Sequence, residues 1–122
     1  MLAMPVQTKR VYAPRAANDG FRVLVDRIWP RGIGKNELAA DAWEREVAPS
    51  TSLRKWFGHE PAKWPEFQRR YREELAAEPA APVVAALTER AREGMLTLLF
   101  AAADRERNNA IVLRQVIEER LG

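Results

Sequence analysis

Apolar positions along this chain keep two different rhythms. From Phe21 to Ile28 they fall on both parities, at Phe21, Val23, Leu24, Val25 and Ile28, and from Met95 to Ala102 only Thr97 interrupts the run. A strand with one face in water alternates apolar and polar side chains. Unbroken runs of this length therefore predict central strands covered on both faces. Gln7 to Tyr12 is a shorter candidate strand, ended by Pro14 and the turn-forming Asn18-Asp19-Gly20. After the second strand the chain breaks at Trp29-Pro30-Arg31-Gly32-Ile33-Gly34-Lys35. There Pro30 lacks an amide donor, and the two glycines permit backbone angles closed to other residues.

Elsewhere the spacing becomes helical. Trp64, Phe67, Tyr71 and Leu75 recur every three to four residues, which predicts a helix from Pro61 or Pro65 to near Glu78 with one apolar stripe. Pro79 to Glu93 reads as a second long helix, with Pro82 in its first turn and Gly94 just past its end. Asn36 is placed to cap a helix over Glu37 to Val47, with Leu38, Trp43 and Val47 as its buried points and Pro49 as its stop. Ser50 or Thr51 caps a short helix through Phe57, which Gly58 ends. Asp104 to Asn109 is a polar loop or helix start, and Ala110 to Leu121 a closing amphipathic helix.

The order is thus strand, strand, several helices, strand, helix. Two apolar strands joined through helical crossovers predict an α/β fold, a single compact domain over residues 1–122 with a small, largely parallel sheet flanked by helices. Residues 1–6, ahead of the first strand, are expected to be disordered or loosely attached. A chain of 122 residues has no room for a second core.

Composition narrows the function by exclusion. With 47% hydrophobic and 30% charged residues the chain is an ordinary globular one, not a disordered one. No apolar run approaches the roughly 18 residues of a membrane span. The start, Met1-Leu2-Ala3-Met4-Pro5, lacks the charged segment and long apolar core of a secretory signal. A cytoplasmic location and no membrane partner are expected. The absence of cysteine removes disulfides and thiolate chemistry, and a single histidine, His59, rules out a histidine-rich zinc centre. Neither a metal nor a cofactor is expected.

Charge adds more than it excludes. The net +3 divides near residue 35: residues 1–35 hold seven Lys or Arg against two Asp, and the remainder thirteen basic against fifteen acidic groups. A basic first third on a near-neutral body suggests an anionic partner, from a phosphate to a nucleic acid.

In open α/β sheets ligands collect beyond the carboxyl ends of the strands. Both apolar strands end there in polar clusters, Asp26-Arg27-Ile28-Trp29-Pro30-Arg31-Gly32 and Asp104-Arg105-Glu106-Arg107-Asn108-Asn109. Neighbouring strands would bring the two clusters to one rim. Arg27 and Arg31 carry planar forks suited to phosphate or carboxylate, and serve equally as partners of Asp26 or of a glutamate. For Arg27, in the strand's last turn, the structural pair has more weight. Asp26 and Asp104 suit an acid/base pair, one pKa raised by the other; against that stand an arginine salt bridge for Asp26 and a helix N-cap for Asp104. Asn108 and Asn109 suit the polar edge of a ligand, although capping accounts for one of them. His59 is the side chain that titrates nearest neutral pH, in a turn where a surface role is the commoner one. Trp29, beside Pro30 and Arg31, suits the wall of a ligand site. The chain has no P-loop, no dinucleotide fingerprint and no nucleophile elbow.

The run Arg22 to Gly32 resembles the opening motif of the Domain of Unknown Function 488 family, in its short YeaO-like branch. Three further blocks resemble it in the same order: Ala48 to Phe57, Phe67 to Leu75, and Leu96 to Phe100 with Asn108-Asn109-Ala110. The resemblance covers roughly residues 7–120. It implies a compact single-domain α/β fold and no settled activity, with nucleotide or nucleic-acid chemistry suggested for the wider family. Carried over residue by residue, it brings Arg54 in as a candidate beside Asp26, Arg27, Trp29, Arg31, Asp104 and Asn108. Asn109 falls where many relatives have histidine, so a catalytic histidine in those relatives implies binding without turnover here. Three readings follow. The chain binds an anionic, nucleotide-like small molecule at the rim, with or without a hydrolytic or transfer step. Alternatively it binds nucleic acid through its basic first third, or it is a non-catalytic interaction module.

Overall fold

The computed structural model describes residues 5–122. Strands β1 (Val6–Arg10), β2 (Phe21–Leu24), β3 (Ala42–Trp43) and β4 (Leu96–Phe100) form one sheet in the order β1-β4-β2-β3, with every pairing parallel. The helices are α1 (Lys35–Leu38), α2 (Thr51–Phe57), α3 (Trp64–Leu75), α4 (Ala80–Glu93) and α5 (Asn109–Leu121). This is the α/β architecture that the apolar runs predict. All five residues of β4 are buried, as a central strand requires.

The two faces of the sheet are covered differently. Leu96, Leu98, Phe100, Val23 and Val25 join Phe67, Tyr71 and Leu75 of α3, and apolar residues of α4 and α5, in the main core. The opposite face carries a smaller cluster, Val11, Leu24, Leu38 and Leu99, roofed by Trp29, Ile33 and Trp43. Toward the start of the strands the sheet is lined with polar groups, which explains the one polar residue in the β4 run. The Thr97 hydroxyl donates to the Asp19 carbonyl at 2.6 Å and accepts from Gln7 Nε2 at 2.8 Å.

Local chemistry sets most helix limits. Ser50 Oγ accepts the Leu53 amide at 3.2 Å and caps α2, which Gly58 ends at a φ of 53°. Glu74 of α3 accepts both the Ser50 amide, at 2.8 Å, and its hydroxyl, at 2.6 Å, so α2 is tied to α3 at its N-cap. Helix α5 packs on α3, α4, β1 and β4 together. Its apolar residues are therefore spread around it, and it is not the one-striped helix expected from the sequence.

Three further expectations are corrected. The helix expected over Glu37 to Val47 is a single turn, α1, preceded by Gly34 rather than capped by Asn36, and followed by β3 and a 3-10 turn, Arg45–Val47. The Asp41 amide bonds the Arg22 carbonyl at 2.6 Å and the Glu44 amide the Leu24 carbonyl at 2.9 Å, so sheet pairing overrides a weak helical pattern. Ile28 is 61% exposed, because the chain has already turned away from the sheet at Asp26. The loose attachment expected of residues 1–6 concerns mostly residues 1–4, which lie outside the described residues, whereas Val6 opens β1 and is buried. Among the described residues no helix is long and apolar enough to cross a membrane.

Candidate functional site

Parallel pairing sets the carboxyl ends of β2 and β4 side by side. The ladder runs one residue past β2, where the Val25 amide donates to the Leu99 carbonyl at 3.1 Å. Asp26 then turns its carboxylate across to the end of β4. Its Oδ2 accepts the Ala101 amide at 2.9 Å. Its Oδ1 accepts the side-chain amide of Asn109 at 3.2 Å, and that amide also donates to the Val25 carbonyl at 3.0 Å. Through these bonds the two polar clusters meet at one rim.

Burial pushes the Asp26 carboxyl above its ordinary value, and the Ala101 amide, the Asn109 side chain and the charge of Arg54 oppose the rise without cancelling it. Close to Asn109 stands Tyr71, wholly buried, whose hydroxyl donates to the Val47 carbonyl. Burial raises its phenol strongly, the negative charges of Asp26 and Glu74 add to that, and Asn109 and Arg27 oppose it.

Over this floor opens a cleft of about 520 Å³, lined by five cationic side chains, Arg27, Arg31, Arg54, Lys55 and Arg107, against one carboxylate, Asp26. The cations differ in what they touch. Arg27 donates to the carbonyls of Ala48, at 3.2 Å, and Pro49, at 3.4 Å, so it staples the approach to α2 instead of forming the expected pair with Asp26 or a glutamate. Arg107 is held by Asp104 at 2.9 Å. Arg54, on α2, has its Nε buried without a hydrogen-bond partner. Arg31 is exposed, and its carbonyl accepts the Tyr12 hydroxyl at 2.7 Å, which anchors the loop and leaves the guanidinium outside any ion pair among the described residues.

The remaining candidates divide between cleft and scaffold. Trp29 lines the cleft with its ring fixed from behind, Nε1 donating to the Ile33 carbonyl at 2.8 Å and the ring meeting Trp43 edge-on at 5.4 Å. His59 stands at the cleft, exposed, with a left-handed φ of 58°. Asn108 lines the cleft but is engaged in folding: its Oδ1 accepts the Ile111 amide at 3.1 Å and its Nδ2 donates to the Asp104 carbonyl at 2.9 Å. Asp104 is not among the lining residues. The Glu106 amide above all, helped by the Arg107 amide and guanidinium, holds its carboxyl below the usual range against the opposing effect of burial. Asp104 thus stands outside the lining of the cleft that Asp26 shares, and the N-cap role considered for Asp104 falls to Asn108.

The family model described as "Inactive DUF488-N3 subclade" matches residues 5–122. The chain belongs to this family. Among its relatives are the uncharacterized protein YeaO of Escherichia coli K12, 44% identical over 90% of this chain and 94% of its own length, and the uncharacterized protein Rv3073c of Mycobacterium tuberculosis H37Rv, 41% identical over 94% of this chain and 95% of its own. No solved structure matches it. In this DUF488 chain the basic first third is largely internal wiring. Lys9 and Arg22 bind the buried Asp19, Arg10 donates to the Ala101 and Ala102 carbonyls, and Arg27 to those before α2. That leaves Arg15, Arg31 and Lys35 of the seven.

Sequence reasoning missed Lys55 and Tyr12 as cleft residues, and Tyr71 as the polar group beneath the floor. Tyr12 and Tyr71 signalled only their position, at a strand end and on an apolar helix stripe, which reads as core, and Lys55 is an ordinary exposed lysine on a short helix. Among the described residues no group of three His, Asp or Glu side chains is placed to hold a metal ion.

Proposed function

We propose that this chain is a binding domain that takes an anionic, nucleotide-like small molecule in the cleft at the carboxyl edge of its sheet and does not turn it over. The observation that carries the reading is Arg54. Its guanidinium lines the cleft, closes no ion pair among the described residues, and keeps a buried Nε without a partner there. The Nη donors of the same guanidinium make no hydrogen bond among the described residues, and an arriving oxyanion would accept from them. Arg31 and Lys55 add charge, while Trp29, Tyr12 and Phe57 offer apolar faces to a ring.

Two observations favour binding over catalysis. Asn109 holds the floor position beside Asp26 with an amide, which neither takes nor releases a proton near neutral pH. The family description also carries the word inactive. A long polyanion is served less well than a small one, because four of the seven cations in residues 1–35 already bind the fold.

Thermal unfolding against a panel of phosphates, nucleotides, sugar phosphates and short oligonucleotides tests this. A ligand at about 100 times its Kd adds about 2.7 kcal/mol, a rise of several degrees for a domain of this size. A rise with a mononucleotide or sugar phosphate that Arg54→Ala abolishes is the expected result. A rise with oligonucleotides alone, lost in salt, supports the nucleic-acid reading instead. Silence across the panel overturns the ligand reading and leaves the interaction module.

A further inference from the structure

Resting on the reading of the cleft as an anion site, we propose that Asp26 makes it selective for a phosphoryl group that carries a proton, a phosphomonoester or hydrogenphosphate, over proton-free oxyanions such as sulfate. The juxtaposition behind this is Asp26 and Arg54. Both line the cleft, and the charge of Arg54 acts on Asp26, yet no ion pair closes between them. A carboxylate and a guanidinium facing one space without meeting leave room for a group that touches both.

What that group must look like follows from what each partner has left. Asp26 Oδ2 accepts the Ala101 amide and Oδ1 the Asn109 amide, so each oxygen keeps a lone pair free. Arg54 offers donors only. An oxyanion seated on Arg54 therefore brings its own negative oxygens up to a carboxylate. In a partly buried site that repulsion lowers affinity by more than about tenfold unless a proton lies between them. With the proton in place, the repulsion becomes a short, charge-assisted hydrogen bond. A phosphomonoester has its second ionisation near pH 6 and supplies that proton close to neutrality. A sulfate ester has none to supply, so the proton must then sit on Asp26 itself.

The surroundings favour a proton at this position. Among the cleft-lining residues Asp26 is the single carboxylate. Burial opposes its charge, and the Ala101 amide, the Asn109 amide of α5 and the charge of Arg54 of α2 favour that charge without outweighing burial. On α3 the buried Tyr71 faces it as a neutral phenol, with Glu74 bound to Ser50 and Arg27 of Asp26's own loop bound to carbonyls. His59 lies at the cleft on an exposed turn.

The test is calorimetric titration of the full chain with phenyl phosphate and phenyl sulfate, two probes alike in shape, the first mostly a dianion at neutral pH that can take up a proton and the second a monoanion that cannot. Wild type is expected to bind the phosphate at least about tenfold more tightly at neutral pH, and Asp26→Asn to bring the two within about threefold. In two buffers of different ionisation heat, phosphate binding takes up protons in wild type and not in Asp26→Asn. The His59→Gln variant supplies a measurement that does not depend on altering Asp26. In it, phenyl sulfate affinity rises as pH falls below neutral, because Asp26 takes the proton. Equal affinity for the two probes in wild type, selectivity unchanged in Asp26→Asn, or a flat sulfate profile in His59→Gln overturns the inference while the anion site stands. Binding of neither probe at any pH overturns the anion site, and the selectivity with it.

Discussion

The side-chain amide of Asn109 reaches both Oδ1 of Asp26, at 3.2 Å, and the Val25 carbonyl, at 3.0 Å, so one residue of α5 fastens the helix to the end of β2. Val25 is fully buried. Asn109→Ala leaves its carbonyl without this donor and removes a donor from a carboxylate that burial already disfavours. The expected loss is about 1–3 kcal/mol. Its pH dependence has a definite sign. A carboxyl whose folded value lies above its unfolded one is best tolerated protonated, so stability falls as pH rises through the folded value. Without Asn109 that fall is steeper. Urea unfolding should show a larger gap between variant and wild type in alkaline buffer than in mildly acidic buffer, and an equal gap in both would count against this role.

Asp19 is the opposite case, a buried carboxylate with more donors than it needs. It accepts Arg22 Nη1 at 2.5 Å, Lys9 Nζ at 2.8 Å, the Ala16 amide at 3.0 Å and Gln7 Nε2 at 3.1 Å. Burial alone would raise its carboxyl, but Lys9, the Ala16 amide and Arg22 together outweigh that and lower it from 3.8 to about 2. The folded value lies below the unfolded one. Its contribution is therefore complete above pH 3.8 and is lost as pH falls from there toward about 2, on the order of 2 kcal/mol in all. Asp19→Asn also strands Arg22, which is 3% exposed. The expected cost at neutral pH is about 3–5 kcal/mol, narrowing in acid, as urea midpoints across that range would reveal.

These two carboxylates also show what could be read in the sequence. Strands β1, β2 and β4, the α3 stripe and the rim could be, because an apolar run or a three-to-four spacing is a local pattern. Asp19 lay in a turn-forming Asn-Asp-Gly and gave no sign of burial, since its partners Lys9, Gln7 and Arg22 come from two different strands. The basic first third pointed outward for the same reason: net charge counts arginines, but only contacts tell that Arg10, Arg22 and Arg27 end on carbonyls or on Asp19. Glu37 to Val47 misled because Leu38, Trp43 and Val47 fit a helix on paper. Trp43 instead belongs to β3, its indole donating to the Asp26 carbonyl at 2.7 Å.

Gly20 joins this turn to β2 with a φ of 65°, and a Cβ there would lie 2.2 Å from the Met95 carbonyl oxygen. That carbonyl accepts the Phe21 amide at 2.9 Å and starts the β2–β4 pairing, so neither partner has room to move. Gly20→Ala is expected to lose more than about 3 kcal/mol or to fail to accumulate as folded protein. Gly32 is the control. Its φ of 74° is similar, but nothing lies within 4 Å of its Cβ position, and Gly32→Ala should cost about 1 kcal/mol. Comparable losses in thermal unfolding of the two variants would rule out the steric account.

Arg27 and Arg54 stand on the same cleft and should separate when each is removed. Arg27 holds the Ala48 and Pro49 carbonyls, and both residues are buried, so Arg27→Ala leaves acceptors unsatisfied where water cannot readily replace it. Its expected cost is about 1–3 kcal/mol of stability. Arg54 bonds nothing with its buried Nε, so truncation removes an unpaired donor along with some favourable charge on Asp26. Arg54→Ala should therefore change stability by less than about 1 kcal/mol, in either direction. Ligand binding should reverse the order. A phosphate or mononucleotide loses about tenfold or more of its affinity with Arg54→Ala, the usual range for a charge-assisted contact, and much less with Arg27→Ala if the approach to α2 keeps its shape. Paired unfolding and binding measurements on the two variants give four numbers. The functional reading of Arg54 requires a small stability effect and a large binding effect in the same protein. A large loss of stability with unchanged binding would instead make Arg54 a structural residue and remove the main support for an anion site.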